Sequence, residues 1–242
     1  MTATTEIGPP EVTPPRIVLR AITVIGIALS LFQLYAAGVQ PLGLFFQRPI
    51  HLGFVLVLCF LIYPVFGRHK ARGVLGWAID GTLILLGVLA GAWVPINIDT
   101  IANQVFPRDI DVWIGVLTII VVLEAARRAV GLGMTLIGAF FIAYAFAGNR
   151  GELPFLADWM PGILNHRGYS LDRVASQMTL GAEGIFGIPL GVAATFVFIF
   201  VLFGAFLEVT GAGKFFIDLA YAAAGKQRGG PAKAAVIASA GM

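Results

Sequence analysis

Few residues in this chain could do chemistry, and most of those stand inside or beside long apolar runs. Asp80 lies within one such run, Arg20 near the start of another, and Glu124 near the end of a third. Ionisable groups so placed are costly, and they mark either a pathway or a structural pair. On a helix, Gly76, Asp80, Ile84, Gly87 and Gly91 step by 4, 4, 3 and 4 residues along one stripe. Gly87 and Gly91 form a G-x-x-x-G pattern that lets another helix approach closely. Asp80 is therefore expected to face protein, with these three glycines as packing positions. Arg20 lies at a similar depth, so the reading is an Arg20–Asp80 pair that locks the first and third spans. The alternative is Asp80 as an ion ligand or proton relay. Gln33 suits an interhelical hydrogen bond or a tolerated lone amide. Glu124 is spaced for i, i+3 and i+4 ion pairs with Arg127 and Arg128. Glu183 and Glu208 sit at the two ends of the last long apolar run.

No enzyme constellation emerges. There is no G-x-S-x-G elbow and no H-E-x-x-H pair. The single cysteine, Cys59, lies in an apolar run, which leaves disulfides and cysteine-based metal sites without material. His51, His69 and His166 are scattered. Thr210-Gly-Ala-Gly-Lys214 is too incomplete for a phosphate loop. Phe215 stands where Ser or Thr would hold Mg²⁺, and Glu208 where the first glycine belongs. The expectation is a non-enzyme with no resident cofactor and no metal. A net charge of +3, with no basic run interleaved with aromatics, gives nucleic acid no footprint.

The elements that must hold these residues follow from composition. Apolar residues make up 58% of the 242 and charged ones 12%, about half the charge of an ordinary globular chain. Mean hydropathy is +0.90. Met1 to Pro15 is polar and proline-rich and reads as a disordered tail, taken to residue 16. Apolar runs then occupy 17–38, 50–66, 74–95, 112–126, 130–147 and 186–207. This is an all-α polytopic membrane protein with about six crossings. With the N-terminus inside, eleven of the sixteen basic residues fall on the cytoplasmic side, as the positive-inside bias requires. The strongest vote is Gly67-Arg-His-Lys-Ala-Arg72. Ser170 can cap a short helix whose Leu171, Val174 and Met178 share a face. The stretch 214–224 is too short to cross, at about 16 Å as a helix, and amphipathic enough to lie on the cytoplasmic surface.

The segment Glu183-Gly-Ile-Phe-Gly-Ile-Pro-Leu-Gly191, continuing to Glu208, adds more. Together with Thr210-Gly-Ala-Gly-Lys-Phe-Phe-Ile-Asp-Leu-Ala220 and Arg228-Gly-Gly-Pro-Ala-Lys233, it closely resembles the tripartite ATP-independent periplasmic (TRAP) transporters. More narrowly, the chain resembles the fused permeases that work with TAXI-class solute receptors. Pro161-Gly-Ile-Leu-Asn-His-Arg-Gly-Tyr-Ser-Leu-Asp-Arg173 is similar to the stretch before that core. The match is specific over 155–242 and looser over 1–126.

The resemblance implies that 17–126 is the four-helix small-subunit-like domain, and that 127–242 begins the large transport subunit. It implies a secondary permease of the bacterial inner membrane, driven by Na⁺, importing organic-acid-like solutes. A periplasmic TAXI-type binding protein would deliver the solute, and the rest of the transport domain would be a partner. The run Ala235-Val-Ile-Ala-Ser-Ala-Gly-Met242 resembles the approach to a re-entrant hairpin. Ser239 and Gly241 are thus approach positions, and the chain is expected to be the N-terminal portion of a longer permease. If it truly ends at Met242, the alternative is a scaffold or anchoring protein without translocation of its own.

Overall fold

The computed structural model describes residues 14–67, 73–159 and 161–224, with positions 232, 233, 236 and 239. Two compact units share the chain, 1–194 and 195–242. Among the described residues all regular structure is helical, apart from one isolated bridge between Ala147 and Leu153.

In the first unit, α1 (Arg16–Gly38) and α2 (Leu44–Ile62) precede α3 (Val74–Asn103) and α4 (Asp109–Ala129). After them come α5 (Leu132–Phe146), α6 (Leu171–Thr179) and α7 (Ile188–Val192). A π-helical turn, Ala193–Val197, leads to α8 (Phe198–Thr210) and then to α9 (Ala212–Ala224). Among the described residues, four helices are long and apolar enough to cross a bilayer: α1, α2, α3 and the 23 residues Ile188–Thr210. α5 is apolar but has only 15 residues. α4 carries its charges at both ends.

The sequence boundaries shift where a single residue outweighs the apolar pattern. α2 starts six residues ahead of its apolar run, because Gln47 and Arg48 are absorbed by partners described below. It ends at Ile62, just before Tyr63-Pro64, where proline disfavours helix in its predecessor. α3 runs through Pro95 to Asn103, 30 residues in all, or about 45 Å. α4 and α5 are separated at Gly131, whose φ of +117° suits only glycine. Gly211, at φ +72°, ends α8 in the left-handed cap common at helix C-termini. Ser170 holds the N-cap position of α6 without a side-chain cap bond. The Glu152 carboxylate takes the first amide instead, accepting from Leu171 N–H at 3.0 Å.

The tightest packing in the first unit joins α2 to α3. Gly53 of α2 faces Gly87 and Gly91 of α3. A Cβ on Gly91 would stand 2.6 Å from Gly53 Cα and 2.9 Å from Pro49 O. Backbone therefore meets backbone, and any side chain there would separate the helices. The core beside this crossing is Leu52, Leu56, Phe60, Ala90, Val94, Val121 and Phe186. α6 lies on α4 through Ala175 and Thr179 against Gly115. In the second unit α8 packs on α9, where Ala220 is buried. α5 and α8 have no buried residues, as helices facing lipid would not.

Candidate functional site

Among the described residues, the buried carboxylate, amide and imidazole side chains of the first unit fall into three clusters. Each joins elements that the hydrophobic effect alone would leave free to slide.

The first surrounds Asp80. Its side chain is 0% exposed, and Oδ1 accepts from Arg128 Nη1 at 2.6 Å. Arg128 is itself 2% exposed. It donates through Nη1 to Tyr63 O at 3.0 Å and through Nε to Glu124 Oε1 at 2.7 Å. Its guanidinium lies 5.1 Å from the Phe60 ring centroid, a favourable cation–π placement. Arg127 completes the set with a two-pronged bond to Glu124 at 2.7 and 2.8 Å. The spacing of Glu124, Arg127 and Arg128 thus yields its i, i+3 and i+4 pairs. Among the described residues, the ion pair to Asp80 comes from Arg128, and Arg20 lies exposed on α1. The reason is packing. α3 lies against α4, whose end reaches the level of Asp80, whereas α1 packs on α2. A guanidinium beside Asp80 also opposes any cation bound there.

The second cluster is at the other end of α4, one residue ahead of the apolar run 112–126. Asp111 is fully buried. Arg108 grips it with Nε and Nη2, each at 2.8 Å. Trp93 Nε1 donates to Oδ1 at 3.0 Å, and Gln104 Nε2 to Oδ2 at 3.3 Å. The Arg108 amide adds the reciprocal bond of a capping box. The Arg108 guanidinium, seconded by Trp93 and Gln104, holds this carboxyl down to about 2 against the opposing effect of burial. α3 and α4 are thereby tied at both ends.

The third cluster joins α1 and α2 to the chain around α7. Gln47 Nε2 donates to Gln33 Oε1 at 3.1 Å and to Ala194 O at 3.2 Å. Gln33 Nε2 lies 2.6 Å from His51 Nδ1. A backbone carbonyl can only accept, so Ala194 fixes the Gln47 amide and through it the Gln33 amide. Gln33 then donates to His51 Nδ1, and the ring is neutral. Next to it, Arg48 Nη1 donates to Phe186 O at 2.7 Å. Gly191 makes room, since a Cβ there would stand 2.8 Å from Arg48 Cζ. Ala194 lies in the π-helical turn, a widened turn common at functional sites.

The glycine stripe behaves as backbone geometry dictates. Gly76, Gly87 and Gly91 are all buried, together with Asp80. A Cβ on Gly87 would meet Leu56 Cβ at 3.0 Å, while one on Gly76 would sit 3.4 Å from the Phe66 ring. Ser239 is exposed and its hydroxyl donates to Val236 O at 3.0 Å. Gly241 lies outside the described residues. Sequence reasoning missed Gln47, Arg48 and Arg108 as anchoring side chains. Their common signal was a polar residue within two turns of an apolar run and within two residues of a proline. Among the described residues no three His, Cys, Asp or Glu side chains converge as a metal ion would need.

These clusters hold helices; none presents a nucleophile or an acid–base pair to a substrate. No curated protein and no solved structure matches the chain. Residues 117–242, just over half of it, match the family model of the tripartite ATP-independent periplasmic transporter, DctM component. With that match over half its length, this helical membrane chain belongs to the DctM family of transporter components.

Proposed function

We propose that this chain is the N-terminal portion of a fused TRAP permease. Residues 17–126 are its small-subunit-like domain, and 127–242 begin its transport domain. The observation that carries this reading is the set of ties across the start of the family match. Asp80, Gln47 and Arg48, all ahead of it, bond Arg128, Ala194 O and Phe186 O within it. Such buried contacts suit one permanently joined body. Adding α4 and α5 to the four long helices gives six crossings. The 15 residues of α5, about 22 Å long, need local thinning of a ~30 Å core. The basic residues set the N-terminus inside and make α9 a cytoplasmic surface helix. The expected approach to a re-entrant hairpin, 235–242, falls outside the described residues except at 236 and 239.

The permease works in the bacterial inner membrane, coupled to Na⁺. It imports organic-acid-like solutes handed over by a periplasmic TAXI-type receptor. The test is uptake of labelled dicarboxylates and amino acids into liposomes holding the full permease, with receptor outside. Uptake that needs both the receptor and an inward Na⁺ gradient is expected. Equal uptake with Na⁺ replaced by choline would overturn the coupling. Cysteines introduced for Asp109 and Arg167 should react with impermeant reagent from outside, and one for Arg72 only after the inner face is opened. The reverse pattern would invert the topology.

A further inference from the structure

Beyond α5, the chain from 147 to 170 folds back on the helix end through a knot centred on His166. Both ring nitrogens are engaged, and both partners are backbone groups of fixed polarity. Gly168 N–H donates to His166 Nδ1 at 3.0 Å. His166 Nε2 lies 2.9 Å from Tyr144 O, which can only accept. The ring is therefore neutral, with its proton on Nε2. Tyr144 stands edge-on to it at 4.5 Å between centroids, and Tyr169 stacks on it at 5.9 Å. The surrounding backbone is closed by Tyr169 N–H to Ala145 O at 3.0 Å and Arg150 N–H to Arg167 O at 2.7 Å. Gly168 is at φ +76°, and a Cβ on it would stand 2.6 Å from Gly151 N. Little slack remains to absorb a lost bond.

We infer that His166 is a proton-operated clasp on its own turn: the neutral ring closes residues 166–169 at Gly168, and the charged ring lets go there. An imidazolium carries N–H on both nitrogens. At Nε2 it keeps its bond to the C-terminal turn of α5, where the helix dipole favours a cation. At Nδ1 it opposes the Gly168 N–H, donor against donor. Opening is thus local: the ring stays on the helix while the turn at Gly168 loses its bond. Among the described residues, the charged and titratable groups of the elements that meet at the ring are Tyr144 from α5, Arg150, Glu152, Arg167 and Tyr169 from the loop, and Arg173 from α6. Arg173 stands over Tyr169 at 5.7 Å, and Glu152 is bound to Leu171 N–H. The clasp chemistry is independent of the transport reading. Only the side of the membrane whose pH it senses, the outside, rests on that reading.

The test is amide hydrogen exchange on the whole chain in lipid nanodiscs between about pH 8 and pH 5, corrected for intrinsic exchange. Gly168 is expected to lose protection by about fivefold or more, the equivalent of one hydrogen bond, while α6 amides hold. His166→Asn places a non-titrating acceptor where Nδ1 was, so Gly168 protection should become independent of pH. Selective ¹⁵N-histidine spectra supply a measurement that needs no variant: His166 should show one neutral tautomer at pH 8, protonated at Nε2. Gly168 protection unchanged in the wild type, the opposite tautomer, or an unaltered pH response in His166→Asn would each overturn the clasp.

Discussion

The two ends of α4 solve one problem in opposite ways. At its start, Asp111 is fully buried but partnered locally, with Arg108 three residues away and still 39% exposed. At its end, Arg128 is the buried group, and its carboxylate comes from 48 residues earlier on another helix. The first arrangement is a helix cap reinforced by Trp93 and Gln104. The second is a tertiary weld, because neither ion can reach water without separating α3 from α4. Equal distances therefore conceal unequal consequences. A half-exposed partner can be solvated when its mate is removed, whereas a buried one cannot.

The largest effect should come from breaking the weld. Arg128→Met is expected to cost about 3–5 kcal/mol, read as thermal unfolding in detergent. Asp80→Asn together with Arg128→Met should recover a substantial part, and strict additivity of the two single changes would deny the coupling. Next is the crossing that the weld braces. Gly91→Ala should cost about 1–3 kcal/mol through backbone overlap. Gly81→Ala, on the same helix with nothing within 4 Å of the added carbon, should lie within about 1 kcal/mol of wild type. Equal losses at both glycines would remove the close approach from the account.

Asp111→Asn should cost less, about 1–2 kcal/mol, since Arg108 can turn to solvent. If it matched Arg128→Met, the contrast between the ends of α4 would collapse. The smallest effect is in pH. Folding lowers the Asp111 pKa from 3.8 to about 2. Its contribution is therefore complete above the ordinary value and fades as acid carries the pH down toward about 2. Asp111→Asn should flatten that part of the decline in melting temperature. An unchanged slope would assign the decline to other carboxylates.

Much of this architecture is written in period and spacing. α1 matches its apolar run within a residue, and the stripe from Gly76 to Gly91 is buried at Asp80 and its three glycines and half-buried at Ile84. The Glu124 pairs follow from helical spacing alone. Partner choice across helices is where the sequence falls silent. Arg20 and Arg128 both lie near the level of Asp80, and hydropathy assigns each to the same side. Which helix packs against α3 there is decided by side-chain fit, including Phe60 beneath the guanidinium. The anchors of α2 were hidden for a related reason. Gln47, Arg48 and Pro49 look like a break in the apolar pattern, yet Ala194 O and Phe186 O, far along the chain, satisfy them in place. Polar residues lower the apparent hydropathy of a helix end whether or not a partner awaits them.

The weld between Asp80 and Arg128 also bears on how the protein is made. A single ionised side chain costs about 2.5–3.5 kcal/mol at the centre of an inserting helix and less toward its ends, where Asp80 and Arg128 lie. α3 and α4 are consecutive and antiparallel, so they can leave the translocon as one hairpin. The two charges then enter lipid already neutralised, and biogenesis favours this pair of helices arriving together over either arriving alone.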